Sequence, residues 1–243
     1  MRTETVLHKF ELARAQRLRQ LAILLDPDKC DEADIYRSAS LQPNYVFVGG
    51  SLLTRHRFDD VMNTVRSVFT VPVVIFPGSI TQVHPKADAI LFLSLISGRN
   101  PELLIGQQVL AAPAVQSAGI EPIPTGYLLI EGGNLTTAAY ISNTLPIPAA
   151  KPDIAATTAL AGQMLGMRMM YLDSGSGAKQ TVPADMIQAV KNTVQTPVIV
   201  GGGIRTPQQA NDIWNAGADI IVIGTAFEEK NHNLKEISSL RNS

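Results

Sequence analysis

The strongest constraint on how this chain can fold is a repeated alternation of short apolar runs, each ending in polar residues or glycine, with helix-length amphipathic stretches. Eight such runs occur: Leu21–Leu25, Tyr45–Val48, Val73–Phe76, Ala89–Leu93, Tyr127–Ile130, Met169–Leu172, Val198–Val200 and Ile220–Ile223. Most are apolar at every position rather than at alternate ones, the pattern of parallel strands covered on both faces. Eight parallel strands with helical crossovers predict a closed (β/α)8 barrel of the TIM type. The chain's 243 residues fit that architecture as a single domain, 1–243. Helical spacing is expected over Leu52–Phe69, Pro101–Gln116, Pro183–Val194 and Pro207–Ala216. Several of these open with proline, whose missing N–H is not needed in a first turn. Thr206 and Gln209 form a capping box around Pro207. An extra N-terminal helix, roughly Val6–Arg19, is placed to close the bottom of the barrel, and Gly132–Pro152 reads as a loop.

Charge and cysteine content narrow the function classes. Charged residues make up 17% of the chain, and 20 Lys plus Arg against 21 Asp plus Glu leave a formal net charge of −1. No broad basic field exists to hold a nucleic-acid backbone, so no nucleic-acid partner is expected and any anion must be met by a local site. The single cysteine, Cys30, excludes an intrachain disulfide framework and fits a reducing compartment. Met1–Gln20 alternates charged and apolar residues without a signal-peptide core, and Ile154–Met167 is too short and too rich in Thr, Gly and Gln to span a bilayer. A cytoplasmic protein is expected.

In such barrels chemistry sits at the carboxyl ends of the strands. There the sequence places Asp26-Pro27-Asp28-Lys29, Gly49-Gly50-Ser51, Asp173-Ser174-Gly175-Ser176-Gly177, Gly201-Gly202-Gly203 and Gly224-Thr225. Glycine lets backbone N–H groups approach an oxyanion closely, and three glycine clusters at consecutive strand ends point to a phosphate-bearing ligand rather than to tight turns alone. Asp26 is assigned to the site as a ligand for a hard cation, and Asp28 to a helix cap or to Lys29. Asp173 is either a general base or the anchor of its own loop through an Asx turn. His8, His56, His84 and His232 lack a spacing suited to a shared metal, and Asp59-Asp60 with Asn63 reads as a solvated helix face. Asn134-Leu135-Thr136 matches a glycosylation acceptor, but without a secretory signal it is set aside.

Taken together, Leu24-Leu25-Asp26-Pro27-Asp28-Lys29, Tyr171-Leu172-Asp173-Ser174-Gly175-Ser176-Gly177-Ala178, Val200-Gly201-Gly202-Gly203-Ile204-Arg205 and Ile223-Gly224-Thr225 resemble the geranylgeranylglyceryl phosphate synthase family. Ser94–Pro101 and Tyr127–Gly133 are similar to that family too. The resemblance implies a magnesium-dependent prenyltransferase joining a polyprenyl diphosphate, typically geranylgeranyl, to the sn-3 hydroxyl of sn-glycerol 1-phosphate. It also implies a homo-oligomer, dimer or hexamer, that touches membrane only through its lipid substrate. By matching position, Asp26 and Ser51 would hold Mg2+. Tyr171, Leu172, Asp173, Ser174, Gly175, Ser176, Gly177, Gly202, Gly203, Gly224 and Thr225 would bind glycerol phosphate, with Asp173 as the base. The family usually has glutamate at the position of Asp173, about 1.5 Å longer in reach. An apolar groove for the prenyl tail is expected along Phe76, Pro77, Leu93 and Tyr127.

Two rivals remain at this stage. One is an isomerase, aldolase or synthase acting on a phosphosugar or indole phosphate, disfavoured because Lys29 and Lys179 lie just outside the strand-end positions. The other is a barrel that binds phosphate without turnover, which the shorter Asp173 favours.

Overall fold

The computed structural model describes residues 4–229 and 232–242, and of Thr225 and Asn242 the backbone alone. Helix α1 (Val6–Ala15) leads into β1 (Gln20–Leu25), α2 (Glu32–Ala39), β2 (Tyr45–Val48), α3 (Phe58–Val68), β3 (Val73–Ile75) and β4 (Ala89–Leu95). A π-helical turn (Glu102–Gly106) runs into α4 (Gln107–Ala118), followed by β5 (Glu121–Leu129), α5 (Thr137–Ser142), α6 (Pro152–Met164) and β6 (Met169–Asp173). The chain ends with α7 (Ala184–Thr193), β7 (Val198–Gly201), α8 (Pro207–Asn215), β8 (Ile220–Ile223), α9 (Thr225–Glu228), α10 (Leu234–Ser239) and a 3-10 turn (Leu240–Asn242).

The strands form a closed parallel barrel in sequence order, with β8 returning to β1 at Gln20 opposite Ile220. Alternate strand residues divide into two buried sets. Ala22, Phe47, Val74, Leu91, Ile199 and Val222 pack together inside the barrel, whereas Ile23, Val46, Ile75, Leu172, Val200 and Ile221 pack beneath the helices. Burial on both faces explains why the runs carry no polar alternation. Helix α1 closes the amino-terminal end as expected: Phe10 is buried inside and its ring lies 4.5 Å from that of Tyr45. The carboxylate of Glu121, at the start of β5, accepts from Val6 N at 2.6 Å and Leu7 N at 3.2 Å, satisfying two free donors of the first helical turn.

Several boundaries differ from the sequence reading. Strand β5 starts at Glu121 rather than Tyr127, through Pro122 and Pro124, because its pairing with β6 begins only at Thr125 opposite Met169. The two prolines therefore turn their donorless nitrogens towards a side with no partner strand yet. Helix α3 starts at Phe58 rather than Leu52, since the Asp28 carboxylate takes the N–H groups of Thr54 and Arg55 and binds that segment into the loop. Within Gly132–Pro152 the short α5 forms, and the uncharged Ile154–Met167 stretch holds α6, whose Ala155, Ala159 and Gly162 are buried.

One departure shapes the site. Residues 76–88 join β3 to β4 without a helix, leaving a gap in the outer layer where a barrel of this type carries its third helix. Among the described residues no helix is long and apolar enough to cross a membrane.

Candidate active site

A cavity of about 440 Å3 opens at the carboxyl ends of the strands. It brings together Asp26, Ser51, Tyr171, Asp173, Ser176, Gly202, Gly203 and Gly224 from separate loops. Phe76, Pro77, Leu93 and Tyr127 border the same cavity. Four other expected residues lie off its lining: Leu172 faces outward into the packing beneath the helices, Ser174 is buried with its N–H given to Gly201 O, Gly175 gives its N–H to Asp173, and Gly177 O accepts from Asn134 Nδ2. Strand alternation sends Leu172 away from the mouth, and the Asp173 turn sends Ser174 aside. The side chain of Thr225 lies outside the described residues; its backbone opens α9 directly after Gly224.

Asp173 ends β6 with its carboxylate buried. Oδ1 accepts from Gly175 N at 2.7 Å, and Oδ2 accepts from the Tyr127 hydroxyl at 2.7 Å. The Asx-type turn anticipated as an alternative is thus formed, but a carboxylate has about four acceptor positions, and among the described residues two are used. Burial pushes the Asp173 carboxyl above its ordinary range, while the Tyr127 and Gly175 hydrogen bonds oppose the rise. Burial, with the Asp173 charge beside it, holds the Tyr127 phenol protonated as a donor. A base acts deprotonated, so activity that uses Asp173 should rise as pH climbs through this elevated carboxyl. Tyr127→Phe removes a bond that favours the anion, so the acid limb of the kcat/KM profile should move to higher pH. An unmoved limb would disconnect Tyr127 from Asp173 in catalysis.

The glycine clusters do different work. Gly202 has φ +86°, and a Cβ there would lie 2.7 Å from Gly175 N and 2.9 Å from Asp173 Oδ1, so the β7 loop can approach the β6 loop only as glycine. A Cβ on Gly224 would meet nothing nearer than Leu24 at 3.5 Å, ordinary contact. The protein itself therefore does not require glycine at 224, and the bare position leaves the mouth open to an occupant.

On the opposite side, Asp26 Oδ1 accepts from Asp28 N at 3.0 Å. Asp28 serves neither a helix cap nor Lys29, contrary to expectation. Its carboxylate bonds Thr54 N, Thr54 Oγ1 and Arg55 N, tying the β1 loop to the β2 loop, while Asp31 and Asp34 form the capping box of α2. Lys29 also departs from expectation, because it borders the mouth. Ser51 is held through a residue the sequence reading missed: Gln82 is buried, gives Nε2 to Gly50 O at 2.8 Å and accepts from Gly50 N and Gly78 N at 3.3 Å each. No motif signals Gln82, since the helix-free connection carrying it was itself unforeseen.

Among the described residues no group of three or more His, Cys, Asp or Glu side chains could hold a metal ion. Asp26, Asp173 and Glu228 all bring carboxylates to the mouth. The candidate metal ligands among its residues, Asp26 and Ser51, are one carboxylate and one hydroxyl, both hard oxygen donors. That set cannot cage a cation alone, but it fits a magnesium ion that keeps waters and shares phosphate oxygens.

From the mouth the cavity passes across β4 to its outer face. Ile80 and Val83 of the helix-free connection border it on one side, and Leu103 and Ala111 beside and on α4 on the other, with Ile90 and Phe92 of β4 between. The missing third helix is what leaves this apolar channel uncovered.

A family model described as the PcrB family matches residues 13–241. The chain belongs to the PcrB family. This PcrB-family chain is 49% identical over 229 residues to a geranylgeranylglyceryl phosphate synthase of Chitinophaga pinensis, covering 93% of the chain and 91% of that relative. It is 44% identical over 233 residues to one from Thermococcus kodakarensis, covering 94% and 90%. Its fold matches a crystal structure of (S)-3-O-geranylgeranylglyceryl phosphate synthase from Thermoplasma acidophilum in complex with sn-glycerol-1-phosphate, with a TM-score of 0.90, 33% identity and 98% of each chain covered.

Proposed function

We propose that this chain transfers a polyprenyl group, geranylgeranyl in the first instance, from its diphosphate to the sn-3 hydroxyl of sn-glycerol 1-phosphate. One observation carries the reading beyond family membership: a polar mouth lined by phosphate-type loops continues without a break into an apolar channel over β4. A phosphosugar isomerase has no use for that channel. The names of the relatives, and the glycerol phosphate held by the Thermoplasma structure, support the same substrates.

In this reading Ser176, Gly202, Gly203 and Gly224 surround the acceptor's phosphate, Asp26 and Ser51 face the donor's diphosphate, and the tail lies between residues 80–83 and α4. Magnesium, when bound, supplies charge neutralisation for the departing diphosphate. The carbon–oxygen bond to diphosphate breaks, the ether bond forms at the sn-3 oxygen, and Asp173 takes the hydroxyl proton. Tyr127 keeps the Asp173 carboxylate turned towards the mouth. The rings of Phe76, Tyr127 and Tyr171, with centroids 4.9 to 6.0 Å apart, offer faces to an allylic carbon as it gains positive charge.

The test is incubation of the purified protein with magnesium, sn-glycerol 1-phosphate and prenyl diphosphates of several lengths, with the ether detected by mass spectrometry. Product is expected. Glycerol phosphate binding without product from any donor would leave a phosphate-binding barrel without turnover.

The reading includes a cytoplasmic protein that meets membrane through its lipid substrate alone, and a homo-oligomer, dimer or hexamer. Helix α4 carries no charged residue, and Val109 and Leu110 on it are exposed, as are Tyr140 and Ile141 of α5 beside the neighbouring strand. An uncharged apolar face of this kind is suited to a second copy of the chain. Light scattering should give a solution mass above that of one chain, and a monomer at micromolar concentration would remove the assembly.

A further inference from the structure

Lys29 has no role in the mechanism above, yet it occupies the centre of the mouth. Its Nζ lies 3.2 Å from Asp26 Oδ2, 3.3 Å and 3.4 Å from the two carboxylate oxygens of Glu228, and 3.4 Å from Ser176 Oγ. These partners come from the ends of β1, β6 and β8, and all four side chains border one cavity. Asp26 belongs to the donor's metal side, and Ser176 to the acceptor's phosphate side. A single ammonium is therefore suspended between two places that each receive an anion.

Glu228 makes the arrangement informative. A carboxylate facing a mouth that must admit phosphates repels them, unless a cation accompanies it. Here Glu228 is paired with Lys29 through both carboxylate oxygens. Asp26, by contrast, is a partner that Lys29 must share. A magnesium ion needs carboxylate oxygen at about 2.0 to 2.1 Å, and a second cation held at the same carboxylate is repelled by it. The flexible four-carbon stem of lysine lets the ammonium swing between its partners.

Resting on the function proposed above, we propose that Lys29 is a cation shared by the two substrate subsites. It balances Asp26 while no metal is present, and when a divalent cation reaches Asp26 it moves towards Ser176 and Glu228 to bind the phosphate of the acceptor. The donor side thereby prepares the acceptor side, and by linkage the acceptor favours the metal-loaded state in return. Two separate phosphate subsites would otherwise fill independently.

Isothermal titration calorimetry on the wild type and on Lys29→Met tests this, with Mg2+ alone as one probe and sn-glycerol 1-phosphate, in the presence of Mg2+ and inorganic pyrophosphate, as the other. In Lys29→Met the affinity for glycerol 1-phosphate should fall about tenfold, the scale of one charge-assisted hydrogen bond. Affinity for Mg2+ alone should rise a few-fold, because a competing cation has gone. Lys29→Arg should restore most of the acceptor affinity. A purely structural lysine would weaken both affinities together, since its loops carry both Asp26 and Ser176. That result, or unchanged glycerol 1-phosphate binding in Lys29→Met, overturns the inference while leaving the proposed function intact. A wild type that fails to bind glycerol 1-phosphate overturns the function itself.

Discussion

Asp26→Ala should reduce magnesium-dependent prenyl transfer by at least about a thousandfold. A metal that neutralises a departing diphosphate is worth several kcal/mol of barrier, and about 4 kcal/mol corresponds to that factor. In the proposed function Asp26 and Ser51, which border the mouth, face the cation, so removing the carboxylate would remove the charge that draws a dication there. Binding of sn-glycerol 1-phosphate should persist, because Lys29 keeps Glu228 and Ser176 as partners when the Asp26 carboxylate is removed. The carboxylate also accepts from Asp28 N, a neutral-donor bond on a partly exposed loop, and Asp26→Asn provides the control that keeps an acceptor oxygen there while removing the charge. Both variants should lose turnover alike, with thermal midpoints close to the wild type. Turnover at the wild-type rate in Asp26→Ala, measured as diphosphate release against magnesium concentration, would remove the metal assignment.

How much of this was legible beforehand depends on whether local chemistry or tertiary packing decided the matter. The barrel was legible because strands buried on both faces write themselves as unbroken apolar runs, and the capping box at Thr206 and Gln209 because both partners lie within one turn. Asp26, Asp173, Ser176, Gly202 and Gly224 were legible as strand-end residues, and the barrel's closure brings them to one cavity. The start of β5 was not, since Pro122 and Pro124 argue against a strand unless one knows that β6 has yet to begin beside them. The fate of Asp28 was not, because the N–H groups it binds belong to Thr54 and Arg55, beyond the next helix and strand in the chain but adjacent in space. Helix α6 escaped because its apolar and small residues surround it rather than forming a stripe, so periodicity carries little signal. Most consequential was the missing third helix. Absence of periodicity over residues 76–88 is weak evidence in a sequence, yet in space it uncovers the outer face of β4 and extends the mouth into an apolar channel.

Asp173→Asn is expected to slow turnover by about a hundred- to ten-thousandfold, the usual contribution of a positioned general base. The substitution separates the two roles that the sequence left open for this residue. Asparagine keeps an acceptor oxygen for Gly175 N, and the Tyr127 hydroxyl can reverse to accept from the new amide, so both anchoring hydrogen bonds can persist. If Asp173 only shapes the loop, Asp173→Asn should turn over like the wild type and Asp173→Ala should lose glycerol phosphate affinity. If its charge takes the acceptor's proton, Asp173→Asn should lose turnover with glycerol phosphate affinity kept within about threefold. The pH dependence gives a second, independent reading. Because burial raises the Asp173 carboxyl, the wild-type rate should fall on the acid side at a pH above the ordinary carboxylate range, and that limb should be absent from the residual activity of Asp173→Asn. The shorter reach of aspartate is consistent with this role because the side chain does not extend freely: Tyr127 holds Oδ2 and Gly175 holds Oδ1 at the wall of the mouth, a placement that depends on Gly202 lacking a side chain. Full activity in Asp173→Asn across the whole pH range would assign the residue to the loop and leave the proton acceptor to be found among the other groups bordering the cavity, Glu228 first.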